Sequence, residues 1–449
     1  MDLSNRAGAG QRGIAAPSSM IGSVVAREAP VACAKRAHGC RRLRGPRARH
    51  SLECVCTADK KVLIVGGTGR VGLSTASALV ADTSLTLAGR SEANFRAAQA
   101  SRPELKAAAF RRIDLDAGQE ALVDALRGFD LVIHAAGPFQ RRPQCDVLEA
   151  ALQAGVRLYV DVCDDTEYAR NARGLHARAQ AAGLKGITGA GIFPGVSNIM
   201  ALEMVRQGAA ADSTDTPKTL SYSYYTAGTG GAGATILATN FLLLAEDALV
   251  YRDGKEVRMP PVSGRRVIDF GPKGGRRETF LYALPEVMMA HTSLGVPNVA
   301  ARFGTSPGIW NGALAAMATI VPRSVLQDPQ AALGMARALD PLVRAVDSLV
   351  GETTAMRVDL EMNSGTKSSG RFVHRRLSQA VGNCVAAFAR DLLEHRDSDS
   401  GVWYPEDGVV DAPLLLQRAS VGTLEYVNGK ASWQLESKAT QLGFGLYLE

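Results

Sequence analysis

Lys61-Val62-Leu63-Ile64-Val65-Gly66-Gly67-Thr68-Gly69-Arg70-Val71-Gly72 decides how the rest of the chain is read. The apolar run at residues 62–65 suits a strand buried on both faces, as in a parallel sheet. A helical pattern follows at residues 73–80. Gly67, Gly69 and Gly72 therefore match G-x-G-x-x-G in the strand–turn–helix context that a dinucleotide site requires. Gly67 permits the tight turn, Gly69 lets a pyrophosphate approach the backbone, and Gly72 lets the helix pack on the strand. The helix N-terminus offers free N–H groups and the positive end of its dipole. Thr68 and Arg70 share that loop.

Outward from the loop, strand and helix signals alternate. Ser84-Leu85-Thr86-Leu87-Ala88 runs into Gly89-Arg90-Ser91. An NAD site usually places Asp or Glu at this point to hold the ribose 2′-hydroxyl, whereas a guanidinium suits a 2′-phosphate. Arg90 and Ser91 thus favour NADP over NAD, although Glu92 follows closely. A third strand is expected at 110–114, with Asp116 in a loop over the adenine. Residues 129–134 read as a fourth strand leading into Ala135-Ala136-Gly137-Pro138-Phe139, where small residues allow close backbone approach. A helix at 145–154, a strand at 157–161, a helix at 166–182 and a strand at 185–189 complete the pattern. The fold class expected is α/β: a Rossmann-type doubly wound parallel sheet plus a second α/β, mixed-sheet substrate domain.

Taken together, Val65 to Gly72, Ala88-Gly89-Arg90-Ser91, Ala135 to Phe139, Tyr159-Val160-Asp161 and Gly191-Ile192-Phe193-Pro194-Gly195-Val196-Ser197-Asn198 resemble the saccharopine dehydrogenase family, in particular its NADP-binding domain. Gly401-Val402-Trp403-Tyr404-Pro405-Glu406 resembles that family's C-terminal G-V-x-x-P-E stretch. The likeness runs from about residue 61 to residue 425 and is nearest the oxidoreductase-like branch of unknown substrate. It implies an NAD(P)-dependent oxidoreductase with a Rossmann domain and an α/β substrate domain. It also implies cofactor contacts at Gly67, Gly69, Gly72, Arg90, Ala136 and Gly137, and a crossing to the substrate domain at Pro194-Gly195. The resemblance does not establish saccharopine as the substrate.

Charge is segregated. The chain has 449 residues and a formal net charge of +7. Residues 1–59 hold ten Lys/Arg against four acids, so +6 belongs to the leader and +1 to the remaining 390 residues. A nearly neutral body gives no electrostatic footprint for nucleic acid. The leader is rich in Arg, Ala and Ser and lacks the apolar core of roughly 7–15 residues that a secretory signal needs. It fits a transit peptide, to a chloroplast in preference to a mitochondrion; a basic tail with no address is the bland alternative. Four of seven cysteines lie in the leader, and Cys145, Cys163 and Cys384 are too dispersed for a disulfide framework or a zinc site. No metal is expected. No apolar run reaches the roughly 18 residues of a membrane span, which leaves peripheral association open. The expected organisation is a leader at 1–59, an NADP-binding domain at 60–195, a substrate domain at 196–378, and a C-terminal helix and tail at 379–449 packing back near the Rossmann domain. A homodimer is compatible with all of this.

The substrate end speaks less clearly. Residues 219–224 alternate as a strand that sets Tyr222 and Tyr224 on one face. Residues 228–233 form a second glycine cluster, with the wrong spacing for the dinucleotide fingerprint. Tyr251-Arg252-Asp253-Gly254-Lys255 and Tyr426-Val427-Asn428-Gly429-Lys430 both satisfy Y-x-x-x-K, the pair of short-chain dehydrogenases. Each straddles a turn former, which argues against that rival reading. Arg265, Arg266, Lys273, Arg276 and Arg277 suit a solvated hairpin better than an anion site. Residues 309–320 read as a largely buried helix. The candidate catalytic residues are Asp161, Cys163 and Tyr222, with Asp164 and Tyr224 as further choices and His134 read as core. The function expected is an oxidoreductase moving a hydride between NADPH and a small carbonyl or imine; a non-catalytic NADP-binding scaffold is the competing class.

Overall fold

A computed structural model describes residues 59–140, 142, 144–227, 234–395, 399–435, 440–442 and 446–448. The leader before residue 59 and the glycine cluster at 228–233 lie outside the described residues.

The first half builds a parallel sheet from β1 (Lys61–Val65), β2 (Ser84–Gly89), β3 (Ala109–Arg112), β4 (Leu131–His134), β5 (Leu158–Asp161) and β6 (Lys185–Ile187). Between them run α1 (Arg70–Leu79), α2 (Glu92–Ser101), α3 (Gln119–Leu126), α4 (Asp146–Gln153), α5 (Thr166–Gly174) and α6 (His176–Ala182). Their order across the sheet is β6-β5-β4-β1-β2-β3, the doubly wound arrangement whose switch point lies between β1 and β4. β1, β4 and β5 are short apolar strands buried almost throughout, because helices cover both faces. Local caps start the helices: Ser91 Oγ accepts the Asn94 N–H at 3.3 Å, and Asp165 Oδ1 accepts the Tyr168 N–H at 2.7 Å.

The chain then crosses through α7 (Val196–Ala211) to a mixed sheet. Its elements in order are β7 (Pro217–Ala227), α8 (Ala234–Leu244), β8 (Ala248–Arg252), β9 (Lys255–Met259), β10 (Ser263–Asp269), α9 (Gly271–Gly274), β11 (Arg276–Leu281), α10 (Glu286–Leu294), β12 (Asn298–Ser306), α11 (Ile309–Ile320), α12 (Arg323–Leu326), α13 (Pro329–Val350), β13 (Thr353–Met362) and β14 (Lys367–His374). β7 is central, parallel to β12 and antiparallel to β13. Leu220, Tyr222 and Tyr224 on one face of β7 belong to the same apolar core as the first sheet, so one core joins the two layers.

The C-terminal stretch returns to the first sheet. α14 (Leu377–Glu394) lies across α1, and its small residues explain how closely: a Cβ at Gly382 would sit 2.6 Å from the Ser74 Cβ. Arg390 Nε donates to Asp82 Oδ2 at 2.7 Å and secures the crossing. β15 (Gly401–Trp403) adds a seventh parallel strand beside β6. α15 (Ala412–Ala419) and β16 (Glu425–Ala431) follow, β16 pairing with β14 on the second sheet. The Gly-Val-Trp-Tyr-Pro-Glu segment is therefore a strap. Arg173 donates to the Val402 carbonyl at 2.7 Å and to Asp407 at 2.6 Å, while Asn198 Nδ2 donates to Glu406 Oε1 at 2.8 Å.

Several local expectations are corrected. The expected helix at 166–182 is two helices, parted at Leu175. Asp253-Gly254 is the hairpin turn expected, with φ of +48° and +74°, but Asn428-Gly429 is a bulge inside β16, where the pairing with β14 shifts register. Neither Y-x-x-x-K pair lies on a helix. α11 has the expected bounds but is not a buried helix. Only its Asn311 is buried, and Ile309 and Ile320 are 75% and 78% exposed. Among the described residues, no helix is long and apolar enough to cross a membrane.

Candidate active site

A cavity of about 1410 Å³ opens at the carboxyl ends of β1, β2, β4 and β5 and continues toward the second sheet. Its first wall is the glycine loop. The Gly67 N–H donates to the Ala88 carbonyl at 2.9 Å, and the Gly69 N–H donates to that of Gly66 at 2.9 Å. The loop leaves no room for side chains. A Cβ at Gly67 would lie 2.7 Å from the Ile64 oxygen, and one at Gly72 would overlap the Gly66 carbonyl oxygen. Gly66 needs its φ of +79°, and a Cβ there would meet the Ala136 nitrogen at 2.8 Å. Gly69 caps α1 with no side-chain hydrogen bond, so the first-turn N–H groups of α1 stay available beside the cavity. This backbone cradle fits a dinucleotide pyrophosphate. Thr68, Gly69 and Arg70 line the cavity; Gly67 and Gly72 stand behind it and act through packing.

Arg90, Ser91, Asn94, Asp114 and Asp116 line the end beyond β2 and β3. Arg90 is exposed and has no ion-pair partner among the described residues. The Ser91 hydroxyl is engaged in capping α2, which leaves Arg90 as the cationic group beside the expected ribose.

Across the switch point the lining passes through Ala136, Gly137, Pro138 and Phe139 to Gln140, then through Val162 and Asp164, then through residues 191–194. The loops after β4, β5 and β6 meet here. Asp164 is the carboxyl at this meeting point. Gln140 Nε2 donates to Asp164 Oδ1 at 2.9 Å, and burial pushes the acid up to about 6, against the lowering effect of that bond. Sequence reasoning paired Asp164 with Asp161 but had no means to find Gln140, which is 1% exposed and 24 residues away.

The structure does not bring Asp161, Cys163 or Tyr222 into the cavity lining. Asp161 is fully buried. Its Oδ1 accepts the Gly189 N–H at 2.8 Å, the Cys163 N–H at 3.1 Å and the Thr188 hydroxyl at 3.1 Å, so it clips the exit of β5 to the exit of β6. Burial raises it to about 6 in spite of those bonds. Cys163 is also fully buried, and its thiol contacts the Asp165 carbonyl at 3.3 Å; burial pushes it well above the usual thiol range. It is not poised as a thiolate. Tyr222 projects from β7 into the core beside Tyr224, ring centroids 6.3 Å apart, and burial raises its phenol as well. His134 is core, as expected. It lies edge-on to Phe139, and burial lowers it to about 3, so it is neutral at pH 7.

A second buried acid pair escaped the sequence. Glu286, at the start of α10, is fully buried and pushed up to about 7; Glu406 on the strap is pushed up to about 8. Burial is the main cause in both. They sit behind the cavity wall, not in it. The basic stretch at 265–277 also stays out of the cavity. Arg265 pairs with Glu278, and Arg277 lies 4.8 Å above the Tyr225 ring.

Comparison with known proteins agrees with this geometry. Residues 62–187 match the family described as the saccharopine dehydrogenase NADP binding domain. The chain resembles the solved structure of saccharopine dehydrogenase (L-Glu forming) from Saccharomyces cerevisiae at 16% identity, covering 82% of this chain and 98% of that one, with a TM-score of 0.58. It also resembles homospermidine synthase from Legionella pneumophila in complex with NAD, at 12% identity, 86% and 95% coverage and a TM-score of 0.54. At these identities the likeness is one of fold. No curated protein matches the chain by sequence.

Proposed function

We propose, for a chain whose residues 62–187 are an NADP-binding domain of the saccharopine dehydrogenase type, that it is an NADP(H)-dependent oxidoreductase acting on a carbonyl or imine held between its two sheets. The bound nucleotide supplies the hydride. The chain supplies the rest. The glycine loop and the α1 N-terminus hold the pyrophosphate, Arg90 takes the 2′-phosphate, and the small residues at 135–137 let the reactive end lie close to the backbone. Asp164 holds the proton that the reduced oxygen or nitrogen needs, with Gln140 orienting the carboxyl. The observation carrying this reading is that one cavity joins the glycine loop, Asp164 and the wall of the second sheet.

The test is NADPH oxidation by the purified protein over a broad carbonyl and imine panel. Asp164→Asn is expected to lower kcat for reduction about 100-fold while leaving NADPH affinity intact. Reduction needs the protonated acid, so its rate should fall as pH rises above about 6, and the variant should lose that slope. NADPH that binds but is never oxidised across the panel sinks the proposal.

A further inference from the structure

The far half of the cavity has a chemistry of its own. Its volume exceeds the roughly 300–1,000 Å³ of an ordinary ligand pocket, so a dinucleotide and a second molecule fit together. Beyond the junction the wall is made by three helices. Leu237 and Phe241 come from α8, Trp310, Leu314 and Met317 from α11, and Leu339 from α13. α11 explains itself here. It is almost wholly apolar, yet only Asn311 is buried: Leu314 and Met317 touch the edge of the core on one side and line the cavity on the other. Close-packed interiors do not keep such a gap under a helix, since the lining forgoes its dispersion contacts. Among the described residues, Arg337 is the one charged side chain these three helices contribute to the lining. A substrate with several carboxylates would find a single cation there, and burying unpaired charges is costly. At the junction Phe303 lies between the chamber and the reactive end, its ring centroid 6.5 Å from that of Phe193 and 6.1 Å from that of Tyr282.

We infer that the substrate is a hydrophobic ketone or aldehyde, with an alkyl body lodged beneath α8, α11 and α13 and its carbonyl directed to Asp164; this rests on the oxidoreductase reading above. In the forward step a hydride passes from NADPH to the carbonyl carbon and the Asp164 proton passes to the oxygen, leaving NADP⁺, an alcohol and a carboxylate that regains its proton from solvent.

Two series test it. With NADPH present, 2-alkanones of four to twelve carbons should show kcat/KM rising about threefold per added methylene, by more than 100-fold from four to ten carbons. In parallel, binding of the matching 2-alkanols, which NADPH does not reduce, is read by tryptophan fluorescence. Trp310 lines the chamber, whereas Trp403 packs on His176 and Trp433 is exposed. Affinity should climb with chain length, the signal should vanish in Trp310→Phe, and half-buried Leu314→Gln should weaken 2-decanol about tenfold with NADPH affinity unchanged. Affinity and rate indifferent to chain length, or 2-oxoglutarate outperforming 2-decanone, overturns the inference while leaving the enzyme reading intact. Chain-length-dependent alkanol binding with no ketone or aldehyde reduced overturns the inference, and the enzyme reading then stands or falls on the imines of the broader panel.

Discussion

The two ends of the cavity are built by opposite means. The nucleotide end rests on a backbone loop from which side chains are excluded at the glycine positions. Gly66, Gly67 and Gly72 each stand where a Cβ would collide with main-chain atoms. The substrate end is made of side chains, on helices that leave space between them. A backbone site tolerates almost no variation in residue type but binds any ligand with the right phosphates. A side-chain site can change its ligand one residue at a time. The contrast teaches that the two ends fail differently: the first by collision, the second by degrees.

The sharpest way to break the comparison is therefore at the glycine loop. Gly72→Ala forces a methyl group against the Gly66 carbonyl oxygen and to 2.7 Å from the Gly67 Cα, and neither backbone atom can yield cheaply. NADPH affinity, read by fluorescence titration, should drop at least about 100-fold, roughly 2.7 kcal/mol. Affinity within about threefold of the original protein would show that the loop does not cradle the nucleotide.

The same contrast accounts for what the sequence discloses. The first sheet is legible because its strands are continuous apolar runs and its loop needs glycine at fixed spacing. Residues 61–72 alone specify strand, turn and helix. Asp164 is half legible: its position after β5 is readable, but its companion Gln140 arrives on a different loop. The chamber is illegible because Leu314 and Met317 on α11 look like core residues. Periodicity records that a face is apolar, not whether it meets protein or a cavity. Glu286 and Glu406 are hidden for a related reason, since acids beside proline at 285 and 405 read as solvated turns until the strap is seen to pack against α7 and α10.

Arg90 sharpens the comparison from the nucleotide side, since it is a charged side chain at an end built on a backbone loop. Arg90→Ala should cost NADPH about 10- to 100-fold in affinity, the worth of one charge-assisted contact, and leave NADH unchanged. Competitive titration with both nucleotides gives the ratio. An equal loss for both would assign Arg90 a structural role and move the 2′-phosphate to another group lining the cavity.

The smallest effect lies outside the cavity lining, at Glu286. Burial holds its proton affinity up at about 7, against 4.5 for an ordinary glutamate. Below pH 4.5 both folded and unfolded chains keep the proton, and the folded state suffers no penalty. As pH rises toward 7 the unfolded chain releases the proton and the folded chain does not, so stability declines, and the decline ends once the folded group ionises. Glu286→Gln keeps the shape and removes the titration. Between about pH 6 and pH 8 the original protein should lose on the order of 1 kcal/mol more stability than the variant, read from urea midpoints. The Glu286 charge helps to hold the Glu406 proton, so the variant also relieves that repulsion, and the difference contains this smaller contribution. A difference well above that size would mean that repulsion between the two carboxylates adds to the burial penalty. Equal pH slopes would mean that Glu286 already reaches water, and that the wall behind the substrate end is more open than its packing implies.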